Sequence, residues 1–191
     1  YYFGSLLPFL RSGDAAVAFI MSESREAQQQ AIEIQYALGS RTQPIFASFR
    51  YLRAYMNNKS MYSVMDKAEI SAYLLELLRR YRPETLITHD AAGESGDCLH
   101  ALVAKHVLLA AEQAADASKD RRSEKEYGAW QVQAVYEHRS EGGAPLYDTA
   151  SPLPAYGGMS ATALAQSCFD RYRFLRIYRQ TVPDTPYFMQ I

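Results

Sequence analysis

The sequence predicts an α/β protein built on a mostly parallel sheet with helices on both faces. Short strand-like apolar runs alternate with longer stretches of helical spacing along the chain. The repeating order strand, helix, strand, helix is the pattern that parallel sheets require, because each crossover must return to the same edge of the sheet. No internal repeat and no low-complexity tract interrupts it, so the chain reads as one domain over residues 1–191.

Residues 3–12 read as a short helix ended by Gly13, and residues 15–21 as a buried strand. Residues 24–38 have helical spacing, with Ser22 or Ser24 as the N-cap and Gly39 closing the helix. Residues 44–49 form a second strand, and the aromatic and polar segment 50–63 shows no period. An amphipathic helix follows at about 65–80, carrying Leu74, Leu75, Leu77 and Leu78. After Pro83 come the strand 85–89, a glycine-containing loop to Gly96 and a long helix at about 98–115. Residues 117–128 are charged and read as exposed, 131–137 alternate as a strand does, 139–158 are loop-rich, and 160–178 read as a final helix.

At 191 residues with 48% apolar content, the chain buries a core without needing disulfides or a structural metal. Twenty Lys and Arg against 21 Asp and Glu leave a formal net charge of -1, and no basic stripe is present. Nucleic acid and anionic membrane are therefore excluded as main partners, since both are bound through a basic face that releases counterions. Cys98 and Cys168 match no CxxC or zinc-finger spacing. No apolar run approaches the roughly 20 residues of a membrane span. The opening Tyr1-Tyr2-Phe3 without Met reads as a processed or partial chain, and the sequence leaves the compartment unassigned.

Open parallel sheets place ligands at the carboxyl ends of their strands. The segment from Thr88 to His100 lies at such an end and holds two of the four histidines together with Asp90, Glu94 and Asp97. Its glycines permit tight turning and close approach of backbone N–H groups to a ligand. Asp97 and His100 are three apart at a helix start and share a face, which suits a metal ligand or an acid–base pair. The plain alternative is that Asp97 caps the helix and His100 packs beneath the loop.

The run Arg82-Pro83-Glu84-Thr85-Leu86-Ile87-Thr88-His89-Asp90, followed by Gly93-Glu94-Ser95-Gly96 and His100, resembles the signature of the LmbE and PIG-L type zinc-dependent N-acetylglucosaminyl deacetylases. Arg25-Glu26-Ala27 with Ala31 and Leu38-Gly39 resembles that family's first helix. Val135-Tyr136-Glu137-His138 resembles a later strand, and Pro152-Leu153 through Gly157-Gly158-Met159-Ser160-Ala161 a later turn. The pieces span nearly the whole chain in the right order. The resemblance implies a Rossmann-like three-layer sandwich and hydrolysis of the N-acetyl group of a glucosamine-type sugar conjugate. It also implies a Zn2+ cofactor with His100 as one ligand, Asp97 at the position of a catalytic group that stabilises the oxyanion, and Arg25 as a substrate contact. The chemistry is consistent with that cast: bound zinc lowers the pKa of water to about 7 and polarises the carbonyl.

Two departures set the expectation for this chain. The family's AHPDDE segment, which supplies two further metal ligands and the general base, has no counterpart here, and it would fall together with the first strand just before Tyr1. Asp97 stands where the family has a histidine, and a carboxylate donates to an oxyanion only when protonated. The expectation is that the chain alone does not retain zinc and is an inactive fragment or degenerate copy. The competing reading is a non-catalytic carbohydrate-binding module on the same fold.

The remaining residues divide between functional and ordinary readings. His89 and His138 are candidate substrate contacts at strand ends, and Arg25 either touches substrate or pairs on its own helix. His106 reads as structural. The 15 tyrosines include aromatics at 47–56 and 172–178 that offer either a sugar-stacking surface or ordinary packing.

Overall fold

The computed structural model describes Pro8 and residues 15–22, 24–50, 66–93, 96–139, 142–171 and 187–191. The elements in order are β1 (Ala18–Ser22), α1 (Arg25–Ala37), β2 (Ile45–Arg50), α2 (Lys67–Tyr81), β3 (Thr85–Thr88), α3 (Cys98–Ala114), α4 (Arg121–Tyr127), β4 (Ala134–Arg139), a 3-10 turn (Pro154–Tyr156), α5 (Ala161–Arg171) and β5 (Tyr187–Gln190). They fall into two compact units. One comprises Tyr1–Leu52 with Ala144–Pro186, the other Arg53–Gly143 with Tyr187–Ile191.

In the first unit β1 and β2 pair in parallel, Ala18 opposite Ile45 and Phe19 opposite Phe46. Of the two serines expected to cap the following helix, Ser24 does so. It is extended (φ -154°) and its Oγ accepts from the Ala27 N–H at 3.2 Å, satisfying one orphan donor of the first turn. At the other end Gly39, at φ +83°, lets the chain reverse so that the Gly39 and Ser40 N–H groups donate to the carbonyls of Tyr36 and Gln35. Ile34 from α1 and its C-cap Leu38 then meet Ala161, Leu164 and Cys168 from α5, with Tyr147 and Tyr156 packed against them. The Tyr156 hydroxyl donates to the Leu38 carbonyl at 2.9 Å, and burial pushes the Tyr147 phenol up to about 12.

The second unit is a three-stranded sheet in the order β3-β4-β5 with α2, α3 and α4 packed together. β3 runs parallel to β4 with Thr88 opposite Glu137, and β5 is antiparallel to β4. The apolar stripe of α2 (Ile70, Leu74, Leu75, Leu78) and that of α3 (Leu99, Leu102, Val107) are buried. Four alanines of α3, Ala104, Ala110, Ala111 and Ala114, are buried as well, and small side chains permit close helix approach.

One charge lies inside this apolar stripe. Arg79, one turn after Leu75, is fully buried at 0% exposure, and among the described residues no carboxylate pairs with it. Its Nε donates to the Ala114 carbonyl at 3.2 Å, and its Nη2 to the Asp116 carbonyl at 2.8 Å. Its Nη1 donates to the Lys119 and Asp120 carbonyls and the Ser123 hydroxyl at 2.8, 3.0 and 2.8 Å. These oxygens belong to the end of α3 and the turn into α4, where unsatisfied carbonyls and the negative end of the helix dipole favour a cation. The guanidinium fork matches several carbonyls at once, which an ammonium does not. Three residues on, Arg82 ends α2 in the left-handed region (φ 49°) ahead of Pro83. It donates to the Tyr127 carbonyl at 2.6 Å and lies over the Trp130 ring.

Several expectations shift. The charged segment 117–128 is largely exposed, as read, but it also forms α4, with Ser123 buried and the Lys119 and Asp120 carbonyls taken by Arg79. The strand read at 131–137 runs Ala134–Arg139, and β5 was not foreseen: four residues give too short an alternation to signal a strand. The final helix is described to Arg171. Apart from the helical Pro8, the short helix read at 3–12 lies outside the described residues, as do the segments 51–65 and 172–186 with most of the tyrosine-rich surface. Among the described residues no helix is long and apolar enough to cross a membrane.

This packing can be probed at two side chains. Replacing Arg79 with Met keeps the stem but strands its carbonyls, at a cost of about 2–4 kcal/mol for two or more unpaired buried acceptors. Urea unfolding checks this, and a loss below about 0.5 kcal/mol would mean that water substitutes for the guanidinium. The second side chain is His106, which is buried and whose Nδ1 lies 2.9 Å from the Ser71 Oγ across the α2–α3 interface. Burial, then the Lys105 and Lys67 charges, lower its pKa below the ordinary 6.5. The unfolded chain therefore takes up a proton first as pH falls, so this contribution is intact above pH 6.5 and is lost as pH drops through the folded value. The slope of unfolding free energy against pH below 6.5 should be shallower in His106→Gln than in the parent.

Candidate functional site

Because β3 and β4 are parallel, their carboxyl ends open on the same side, at Thr88 and Arg139. The loop from His89 to Asp97 starts there. Asp90 folds it first: its Oδ1 accepts from the Ala92 N–H at 2.8 Å and its carbonyl from the Gly93 N–H at 2.8 Å. Gly93 is buried at φ +86°, and a Cβ added there would overlap the Asp97 carbonyl oxygen, so no other residue fits. Gly96 N–H closes the next turn on the Gly93 carbonyl at 2.9 Å. Glu94 and Ser95 lie outside the described residues.

β4 holds this loop from the side. Strand alternation puts Glu137 and Arg139 on one face and His138 on the other. The Glu137 Oε1 accepts from the Ala91 N–H, and its Oε2 lies 3.6 Å from Arg139 Nη2. Arg139 Nη1 reaches Asp90 Oδ1 at 3.8 Å. Both carboxylates are nearly closed off, with 9% and 3% of the Asp90 and Glu137 side chains exposed, whereas Arg139 is 32% exposed. In the sequence, Asp90 and Glu137 stand within motifs without an assigned role, and Arg139 is passed over. The available signal was charge at alternate positions of a strand otherwise apolar, Glu137 and Arg139, opposite an acid at the loop start.

The five predicted site residues are placed as follows. Asp97 is the N-cap of α3, extended and exposed, with Oδ1 accepting from the Leu99 N–H at 2.8 Å. That is the capping geometry, with one oxygen committed as an acceptor. His100 lies in the first turn of α3, and its ring stacks on that of His89, with centroids 4.4 Å apart and planes 16° from parallel. The loop thus brings the two histidines together. His138 is buried on the far face of β4, edge-on to Phe188 across the β4–β5 pair at 5.4 Å. Arg25 is the exposed first residue of α1 and belongs to the other unit. The hydroxyl of Ser24 holds the neighbouring Glu26 below the usual carboxylate range, as expected of a first-turn acid.

A catalytic zinc takes three protein ligands and keeps one position open. An imidazole binds a metal within its own plane. Two rings stacked 4.4 Å apart and nearly parallel have no common point at the ~2.0–2.1 Å such bonds require. Among the described residues no group of three or more His, Cys, Asp or Glu is arranged to hold an ion. By themselves these residues do not fit the metal. Stacking on its face does not block the in-plane nitrogens of His100, so His100 alone stands as one candidate ligand.

The fold and the loop together define an α/β protein with a histidine- and acid-lined loop at the carboxyl end of a parallel strand. No family model matches the chain. No curated protein matches it. Among solved structures it is similar to the one described as the crystal structure of the conserved protein TT1542 from Thermus thermophilus. That likeness has a TM-score of 0.50 and 14% identity, and it covers 96% of this chain and 86% of that one. A likeness of this degree concerns the fold alone.

The Asp97 geometry yields a substitution test. If capping is its work, Asp97→Ala costs about 1 kcal/mol of stability while Asp97→Ser and Asp97→Asn, which still cap, cost only a few tenths. Thermal or urea unfolding of the three variants checks this. Equal loss in all three would show that the charge rather than the cap matters.

Proposed function

We propose that this domain is of the zinc-dependent N-acetyl-sugar deacetylase type on a Rossmann-like frame, and that the chain alone does not turn over substrate. The observation that carries the reading is the approach of His89 and His100 at the carboxyl end of β3, through a loop whose order of residues resembles the deacetylase signature. The reading rests on that resemblance and on the loop geometry. In this type of enzyme the metal supplies an activated water and polarises the amide carbonyl. Here His100 stands as the candidate ligand, and His89, partly exposed, as the residue beside the substrate amide. Asp97, already accepting from the α3 backbone, holds the helix start rather than donating to an oxyanion. The sequence also offers Arg25 and His138 as sugar contacts, but His138 is buried against Phe188 on the other face of β4 and Arg25 belongs to the other unit, so neither is given a role in this site.

A second reading, a carbohydrate-binding module that retains the fold without the chemistry, is favoured by the parallel stacking of the two rings. One set of assays separates the two. Protein purified without chelator and given equimolar zinc should hold well under one zinc per chain, and His100→Ala should abolish the remainder. It should release no acetate from an N-acetylglucosamine conjugate, yet bind that conjugate by calorimetry more weakly after His100→Ala. Binding that ignores His100→Ala supports the module. One tightly held zinc per chain would contradict the expectation that the chain alone does not retain the metal, and no sugar binding at all would sink both readings.

A further inference from the structure

We infer that Glu137 and Arg139 are positioning residues for the histidine pair, fixing the His89 loop from the neighbouring strand. The inference rests on the proposed site only in that His89 and His100 are its focus. A four-residue strand ending at Thr88 does not by itself aim the residue that follows it. What fixes His89 is the backbone on its far side. The Ala91 N–H is held by the Glu137 carboxylate, and the Asp90 carboxylate, which turns the chain at Ala92, faces the Arg139 guanidinium at 3.8 Å. Arg139 lies between the two buried acids and faces Glu137 at 3.6 Å.

Two carboxylates this enclosed need donors. Glu137 takes a loop N–H and the guanidinium, and Asp90 takes another loop N–H and the same guanidinium. The clamp therefore spans β4 and both residues after His89 through charge-assisted contacts. It acts on a face of β4 that His138 does not share, so it does not work through the His138–Phe188 contact. The parallel register, with Thr88 opposite Glu137, brings the acid one residue short of the loop. The Arg139 Nη2 also donates to the Met189 Sδ of β5 at 3.7 Å, a further contact of the guanidinium within the sheet.

The test is proton NMR of the metal-free full chain, with both histidine rings assigned. The parent should show cross-relaxation between His89 and His100 ring protons, as their 4.4 Å centroid separation demands. Glu137→Leu removes the acceptor for Ala91, and Arg139→Gln removes the bridging charge from a side chain that is partly exposed. Both should lose the inter-ring signal while the amide resonances of α2, α3 and α4 stay in place. Glu137→Gln, which keeps an acceptor for Ala91, should recover the signal in part. If the inter-ring signal survives undiminished in Arg139→Gln, the inference is wrong, even should Glu137→Leu fail to fold. Because no metal or sugar is present, failure of the deacetylase reading leaves this result unchanged, and loss of the clamp leaves that reading to its own assays.

Discussion

The second unit depends on a buried cation that makes no ion pair among the described residues. Arg79 enters the apolar interface between α2 and α3, and its partners there are backbone carbonyls and a serine hydroxyl at the end of α3 and the start of α4. A buried charge is tolerated only when its donors are satisfied, and here the helix end supplies an array of otherwise orphaned acceptors. The result ties three elements at one point. It also sets where α3 ends, and α3 is the helix that carries His100.

At its other end α3 begins at Asp97, and the loop before it is fixed by Gly93, which alone tolerates the turn, and by the acids that meet Arg139. The histidines are thus held between two fixed points, the carbonyl array around Arg79 and the clamp on β4. The same geometry explains why a zinc reading and a non-catalytic reading compete. A frame rigid enough to stack two imidazoles holds them in a mutual orientation unsuited to a shared ion.

Much of the fold was legible because its signals are local. Ser24, Gly39, Pro83 and Asp97 mark real boundaries, since caps and left-handed turns demand particular residue types whatever surrounds them. The parallel β3–β4 pair follows from the alternation of strands and helices. What was not legible is relational. Nothing local shows that Arg79 would bury itself and fold the charged segment 121–127 onto α2, since the charge pattern alone reads as solvated. β5 pairs through register with β4 rather than through any pattern of its own four residues. At the site, the histidine- and acid-rich loop was visible in the sequence, but its anchoring by Glu137 and Arg139 needed the strand register. The stacking of His89 on His100 likewise needed the path of the loop.

The central claim is that the His89–His100 loop is preformed on a rigid frame rather than organised by a ligand. Native-state hydrogen exchange of the ligand-free chain tests it most directly, through the Ala91 and Leu99 amides, which are bound to Glu137 and Asp97. The account predicts that both are protected and open together with the β4 and α3 amides around them. Exchange of Ala91 at the rate of an unstructured peptide, while β4 remains protected, would contradict it.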